Sequence, residues 1–118
     1  MELSNYVTIV ITVPETHAHL VREAMGRAGA GKIGDYSYCS YSEKGIGRFM
    51  PTKGSSPYIG KENVLEEIIE ERIETVCDRT ILNDVLEEIK KAHPYEETVI
   101  YIYPVYEIGR KKAKKQLI

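Results

Sequence analysis

Val64-Leu65-Glu66-Glu67-Ile68-Ile69-Glu70-Glu71-Arg72-Ile73-Glu74 is the stretch on which the fold turns. Val64, Leu65, Ile68, Ile69, Arg72 and Ile73 recur at helical spacing among glutamates, and propensity by itself favours a helix here. Read as a strand, the same stretch completes the order βαββαβ, in which two helices cover one face of a four-stranded antiparallel sheet. The local pattern leaves both readings open.

The flanks are easier. Tyr6 to Val13 alternates, with Val7, Ile9, Ile11 and Val13 on one face, which predicts a half-buried strand. Pro14 then starts a helical pattern of Ala18, Val21, Ala24, Met25 and Ala28, stopped by Gly29 and Gly31. Tyr36-Ser37-Tyr38-Cys39-Ser40-Tyr41 favours a second strand running on towards Phe49, followed by a long loop punctuated by Pro51, Gly54, Pro57 and Gly60. On the other side of the disputed stretch, Leu82, Val85, Leu86, Ile89 and Ala92 predict a second amphipathic helix, N-capped by Asp78 or Thr80 and ended by Pro94. Thr98 to Tyr103 reads as a final strand.

Size and charge narrow the class. At 118 residues, 42% hydrophobic and 29% charged, the chain suits one globular domain. We expect that domain over residues 1–109 and a basic tail over 110–118, because Arg110, Lys111, Lys112, Lys114 and Lys115 put +5 into the last nine residues. Since the whole carries −2, residues 1–109 carry −7, which disfavours nucleic acid as a partner. No apolar run approaches the ~20 residues of a membrane span and the N-terminus does not read as a leader, so no membrane partner and a cytoplasmic location are expected. Cys39 and Cys77 are too few for a disulfide framework and read as reduced thiols.

The motifs that suggest catalysis do not hold up. Gly29-Ala30-Gly31-Lys32-Ile33-Gly34 matches a dinucleotide fingerprint, but it follows a helix and precedes a strand, so no helix N-terminus faces a pyrophosphate. Gly26 to Lys32 mimics a P-loop, yet Ile33 stands where a Ser or Thr must hold magnesium. There is no Gly-x-Ser-x-Gly elbow, and Glu66, Glu67, Glu70, Glu71 and Glu74 read as a solvated face or strand edge. No residue is assigned a catalytic role. The densest chemistry is His93-Pro94-Tyr95-Glu96-Glu97, which can serve simply as a helix end, with His93 on the dipole and Pro94 as the stop. Alternatively His93, Glu97 and Cys39 offer imidazole, carboxylate and thiolate to zinc or copper.

Gly31 to Ser40, Gly45-Ile46-Gly47-Arg48-Phe49-Met50-Pro51, Ser56-Pro57-Tyr58-Ile59-Gly60, and His93 to Glu97 with Ile102-Tyr103-Pro104 occur in this order. These blocks resemble the insert domain of the Nif-three-like family, the dinuclear-metal-centre proteins that are GTP cyclohydrolase homologues. The resemblance covers Tyr6 to Val105. It implies a CutA/PII-like, ferredoxin-like α+β fold and a homotrimer, and makes Glu66 to Val76 a strand paired with the Tyr36 to Phe49 segment. The family's metal site lies in flanking domains with a His-His-Pro motif that this chain lacks, so its activity is not carried over. What the resemblance implies instead is a regulatory, non-catalytic module for a small ligand or divalent metal. Arg48, Lys53, Ser55 and Ser56 of an effector-type loop, together with Tyr95 and Glu96, are the expected ligand-binding residues, suited to an anion. The alternative is a protein-interaction domain that docks on a separate partner such as a metal-centre protein.

Overall fold

Alternation in the first strand builds the core. In the computed structural model, which describes residues 2–106, 108 and 109, β1 spans Tyr6–Pro14 and buries Val7, Ile9, Ile11 and Val13. The expected basic tail, residues 110–118, lies outside the described residues. α1 follows as Glu15–Ala28 and turns Ala18, Val21, Ala24 and Met25 inward. Pro14 does not start this helix as its first residue. Its extended backbone (φ −51°, ψ 138°) ends β1 and occupies the N-cap. Gly29, at φ 110°, makes the left-handed stop that only glycine adopts without strain, and its N–H with that of Ala30 closes onto the carbonyls of Gly26 and Met25.

The disputed stretch is a strand. β3 spans Glu66–Asp78 and lies between β1 and β2 (Tyr41–Phe49), antiparallel to both, with Ile11 opposite Ile73 and Ile46 opposite Ile69. Two rows of ladder hydrogen bonds and the alternate burial of Ile73, Thr75 and Cys77 outweigh a helix preference of a few tenths of a kcal/mol per residue. A 3-10 turn, Arg79–Ile81, follows, in which the Asp78 carboxylate accepts from the Thr80 N–H at 2.8 Å; α2 then runs Leu82–Ala92. β4, Ile100–Pro104, pairs with β1. The sheet order β2-β3-β1-β4, with α1 and α2 packed on one face, is the ferredoxin-like α+β arrangement.

Three expectations are corrected. Tyr36 to Ser40 is not part of β2; Tyr38 takes a left-handed φ of 60°, and the segment is held across the sheet end by Cys39 N–H to Gly31 O (3.0 Å) and Thr75 Oγ1 to Cys39 O (2.7 Å). The last strand starts at Ile100 rather than Thr98. Glu70 and Glu71 are not on a solvated face, since each is only 8% exposed. Neighbours along a strand, they point to opposite faces of the sheet. Glu71 pairs with Arg22 of α1; burial alone would raise its pKa, but hydrogen bonds from Ser42 and Arg22 and the charges of Arg22 and Lys44 hold it below the usual value.

Candidate functional site

The second half of β2 carries two glycines, Gly45 and Gly47, in a strand interior, where glycine ordinarily weakens a sheet. Gly47 has a steric reason: a Cβ there would overlap the Glu70 carboxylate, which crosses the sheet surface above it. The Glu70 carboxylate fills that space, and beside it lies a cleft of about 720 Å³. Its walls are Gly45 to Phe49, the following loop as far as Ile59, Glu70 and Arg72 of β3, and the Tyr95 to Val99 segment that leaves α2.

Tyr95 organises this cleft. Its ring lies 5.6 Å from that of Phe49 and 6.5 Å from that of Tyr58, and its hydroxyl donates to Glu70 Oε2 at 3.2 Å. Burial is the main cause that pushes the Glu70 carboxyl above its usual pKa, with the Tyr95 hydroxyl opposing; burial and the Glu70 charge together drive the Tyr95 phenol up. The loop is tied down by Ser56 N–H to Glu96 Oε1 at 2.8 Å and by a turn in which Ser55 Oγ donates to Thr52 O at 2.7 Å.

His93 supports this arrangement from below. Thr12 stands just beyond the β1–β4 pairing, and its carbonyl is met by His93 Nε2 at 2.9 Å; His93 Nδ1 accepts the Tyr95 N–H at 3.1 Å. This network makes the ring neutral, protonated on Nε2. Burial, only partly opposed by the Thr12 carbonyl, keeps its pKa below the usual value. With both nitrogens engaged, His93 has no lone pair free for a metal.

The expected residues therefore separate. Arg48, Ser55, Tyr95, Glu96 and Glu97 line the cleft; Lys53 does not, and Ser56 reaches it only through its backbone bond to Glu96. Arg48 is already engaged, its Nε 3.1 Å from Glu67 Oε2. Cys39, Glu97 and His93 are not assembled into a metal site. Cys39 sits in the loop before β2, anchored at Thr75 opposite Ile9, whereas His93 is anchored at Thr12, three residues or ~10 Å further along β1. Among the described residues no three His, Cys, Asp or Glu side chains approach as metal ligands. Glu70, Phe49 and Tyr58 are not among the expected ligand-binding residues, although Phe49 and Tyr58 fall within the blocks that carry the family resemblance and Gly47 is a glycine inside a strand.

No protein-family model matches the chain. Over 86% of its length it is 48% identical to the GTP cyclohydrolase 1 type 2 homolog of Halalkalibacterium halodurans, and over 89% it is 42% identical to that of Bacillus subtilis. It spans only about a quarter of these curated relatives, 27% and 28%. Among solved structures, the Bacillus cereus protein related to NIF3 superposes with a TM-score of 0.77 at 38% identity, over 91% of this chain and 27% of that one. The periplasmic divalent cation tolerance protein CutA of Archaeoglobus fulgidus gives 0.64 at 17% identity, over 89% of this chain and 88% of its own. GlnK of B. subtilis gives 0.58 at 14%, over 86% of each. The last two share the fold.

Proposed function

We propose that this chain, a homologue of one segment of the Nif3-like proteins with the ferredoxin-like fold of CutA and GlnK, is a non-catalytic binding module. It holds a small ligand in the Tyr95 cleft and assembles as a homotrimer. The observation that carries the reading is the carboxylate of Glu70, buried under the Tyr95 hydroxyl in a roomy cleft walled by aromatic rings. A few polar groups set in a mainly apolar concavity are the ordinary makings of a small-molecule site. Self-association is supported by the sheet face that neither α1 nor α2 covers, where Tyr41, Tyr101 and Tyr103 are more than half exposed, and by β2 and β4 being the sheet's edges among the described residues. β3, by contrast, has partners on both sides.

Thermal denaturation in the presence of a metabolite collection tests the ligand site. A binder raises the melting temperature of the native protein, and Gly47→Leu, whose side chain would displace the Glu70 carboxylate at the cleft wall, abolishes the rise. The same rise in the variant, or none in the native protein, contradicts the reading. A second reading, docking on a separate protein such as a metal-centre protein, is favoured by the exposed Met50, Val64 and Leu65 near the hairpin end. Stoichiometric capture of one partner, lost on Leu65→Asp and kept in Gly47→Leu, distinguishes it.

A further inference from the structure

We propose that the cleft selects an organic cation, a protonated amine whose nitrogen meets the Glu70 carboxylate and whose hydrocarbon body lies among the rings of Phe49, Tyr58 and Tyr95. This rests on the cleft being a ligand site and names the class of its ligand. Glu70 is more than nine-tenths buried, and among the described residues its one hydrogen-bond donor is the Tyr95 hydroxyl, on Oε2. Oε1 has none there; it lies over Gly47 at the cleft wall and is open to the cleft, not sealed in the protein. A largely desolvated carboxylate that has no ion-pair partner among the described residues is costly, and a ligand that brings an N–H donor and a positive charge offsets that cost.

The guanidiniums do not fill that role. Arg48 is paired with Glu67 at 3.1 Å and Arg72 with Glu74 at 3.6 Å. Glu96 and Glu97 also line the cleft, so an anion entering it meets three carboxylates and two arginines that are already paired. The aromatic walls present electron-rich faces, which attract an ammonium group and leave a carboxylate or phosphate unrewarded. A bare metal ion fits poorly, because among the described residues no three ligating side chains converge.

One scaffold in three charge states tests this: 2-phenylethylammonium, 2-phenylethanol and phenylacetate, each titrated into the full chain while backbone amide shifts of Gly45 to Phe49 and Tyr95 to Glu97 are followed. The ammonium is expected to bind ~10-fold more tightly than the alcohol, with phenylacetate weakest. Glu70→Gln should bring the ammonium down to the level of the alcohol without weakening the alcohol. The comparison in the native protein decides the matter even if that variant does not fold. Equal binding of ammonium and alcohol, or tighter phenylacetate, at the same amides overturns the cation inference and leaves the cleft a ligand site. Shifts at none of these amides with any probe overturn both.

Discussion

Ile73→Ala probes the strand that decides the fold. Ile73 is fully buried, opposite Ile11 in β1 and within the core formed with Val21, Val85 and Ile89. The substitution removes about three carbon groups, worth ~0.8 kcal/mol each in transfer from water. The cavity left behind adds to that, for a total of ~3–4 kcal/mol. At roughly 4 °C per kcal/mol for a chain of this size, the melting temperature should fall by about 12–16 °C. Ile69→Ala is the control: it lies on the same strand four residues earlier but is 53% exposed, beyond the reach of the helices. It should cost under ~1 kcal/mol in the dissociated chain, with any larger effect growing with protein concentration as self-association does. Urea and thermal unfolding followed by circular dichroism at several concentrations measure both. Ile73→Ala costing under ~1 kcal/mol, or matching Ile69→Ala at every concentration, would refute the packing described.

Other expectations follow from single positions. Because burial raises the Glu70 pKa above its unfolded value of 4.5, Glu70 costs nothing below that pH, and its unfavourable contribution grows as pH rises through the folded pKa. Glu70→Gln should therefore be more stable than the native protein at pH 7 and converge with it near pH 4, as read by melting temperature across pH; a constant difference would count against a buried ionisable group. Gly31→Ala puts a side chain against the Cys39 backbone at a φ of 78°, and should lose ~2 kcal/mol or more in urea unfolding; a neutral result would contradict the anchoring of that loop. The Cys77 thiol, pushed up to about 11 by burial first and by the Asp78 charge second, should resist a thiol reagent at pH 8 until the protein unfolds, while half-buried Cys39 reacts in the native state. Equal rates for the two cysteines would show that Cys77 is not packed as described.

Much of this architecture was legible in the order of residues, for reasons that differ from element to element. β1 and α2 announce themselves because one face of each packs on the same core, which imposes periods of two and 3.6 on their apolar residues, although Val10 on the other face of β1 is buried as well. β3 does not, since its outer half reaches past the helices and exposes Ile69 while burying Glu70 and Glu71, and the mixture imitates a helix. Pairing with two neighbours is a non-local fact, and only the family resemblance carried it. Tyr36 to Ser40 misleads in the opposite sense, for its aromatic and hydroxyl alternation suits a strand, yet the segment is pinned by nearby Gly31 and by Thr75, which is remote in the chain. The site was partly readable: Tyr95, Glu96 and Arg48 do line the cleft, whereas the Glu70 carboxylate looked like one of five solvated glutamates until the sheet placed it over Gly47 and under Tyr95. His93 drew notice for its chemistry, and its two nitrogens are spent on Thr12 and Tyr95.

Native mass spectrometry of the protein, prepared without added metal or ligand, reports the assembly and any retained small molecule together. A three-chain species carrying a small organic molecule, lost in Gly47→Leu, is expected. A monomer with nothing bound across micromolar concentrations would contradict it.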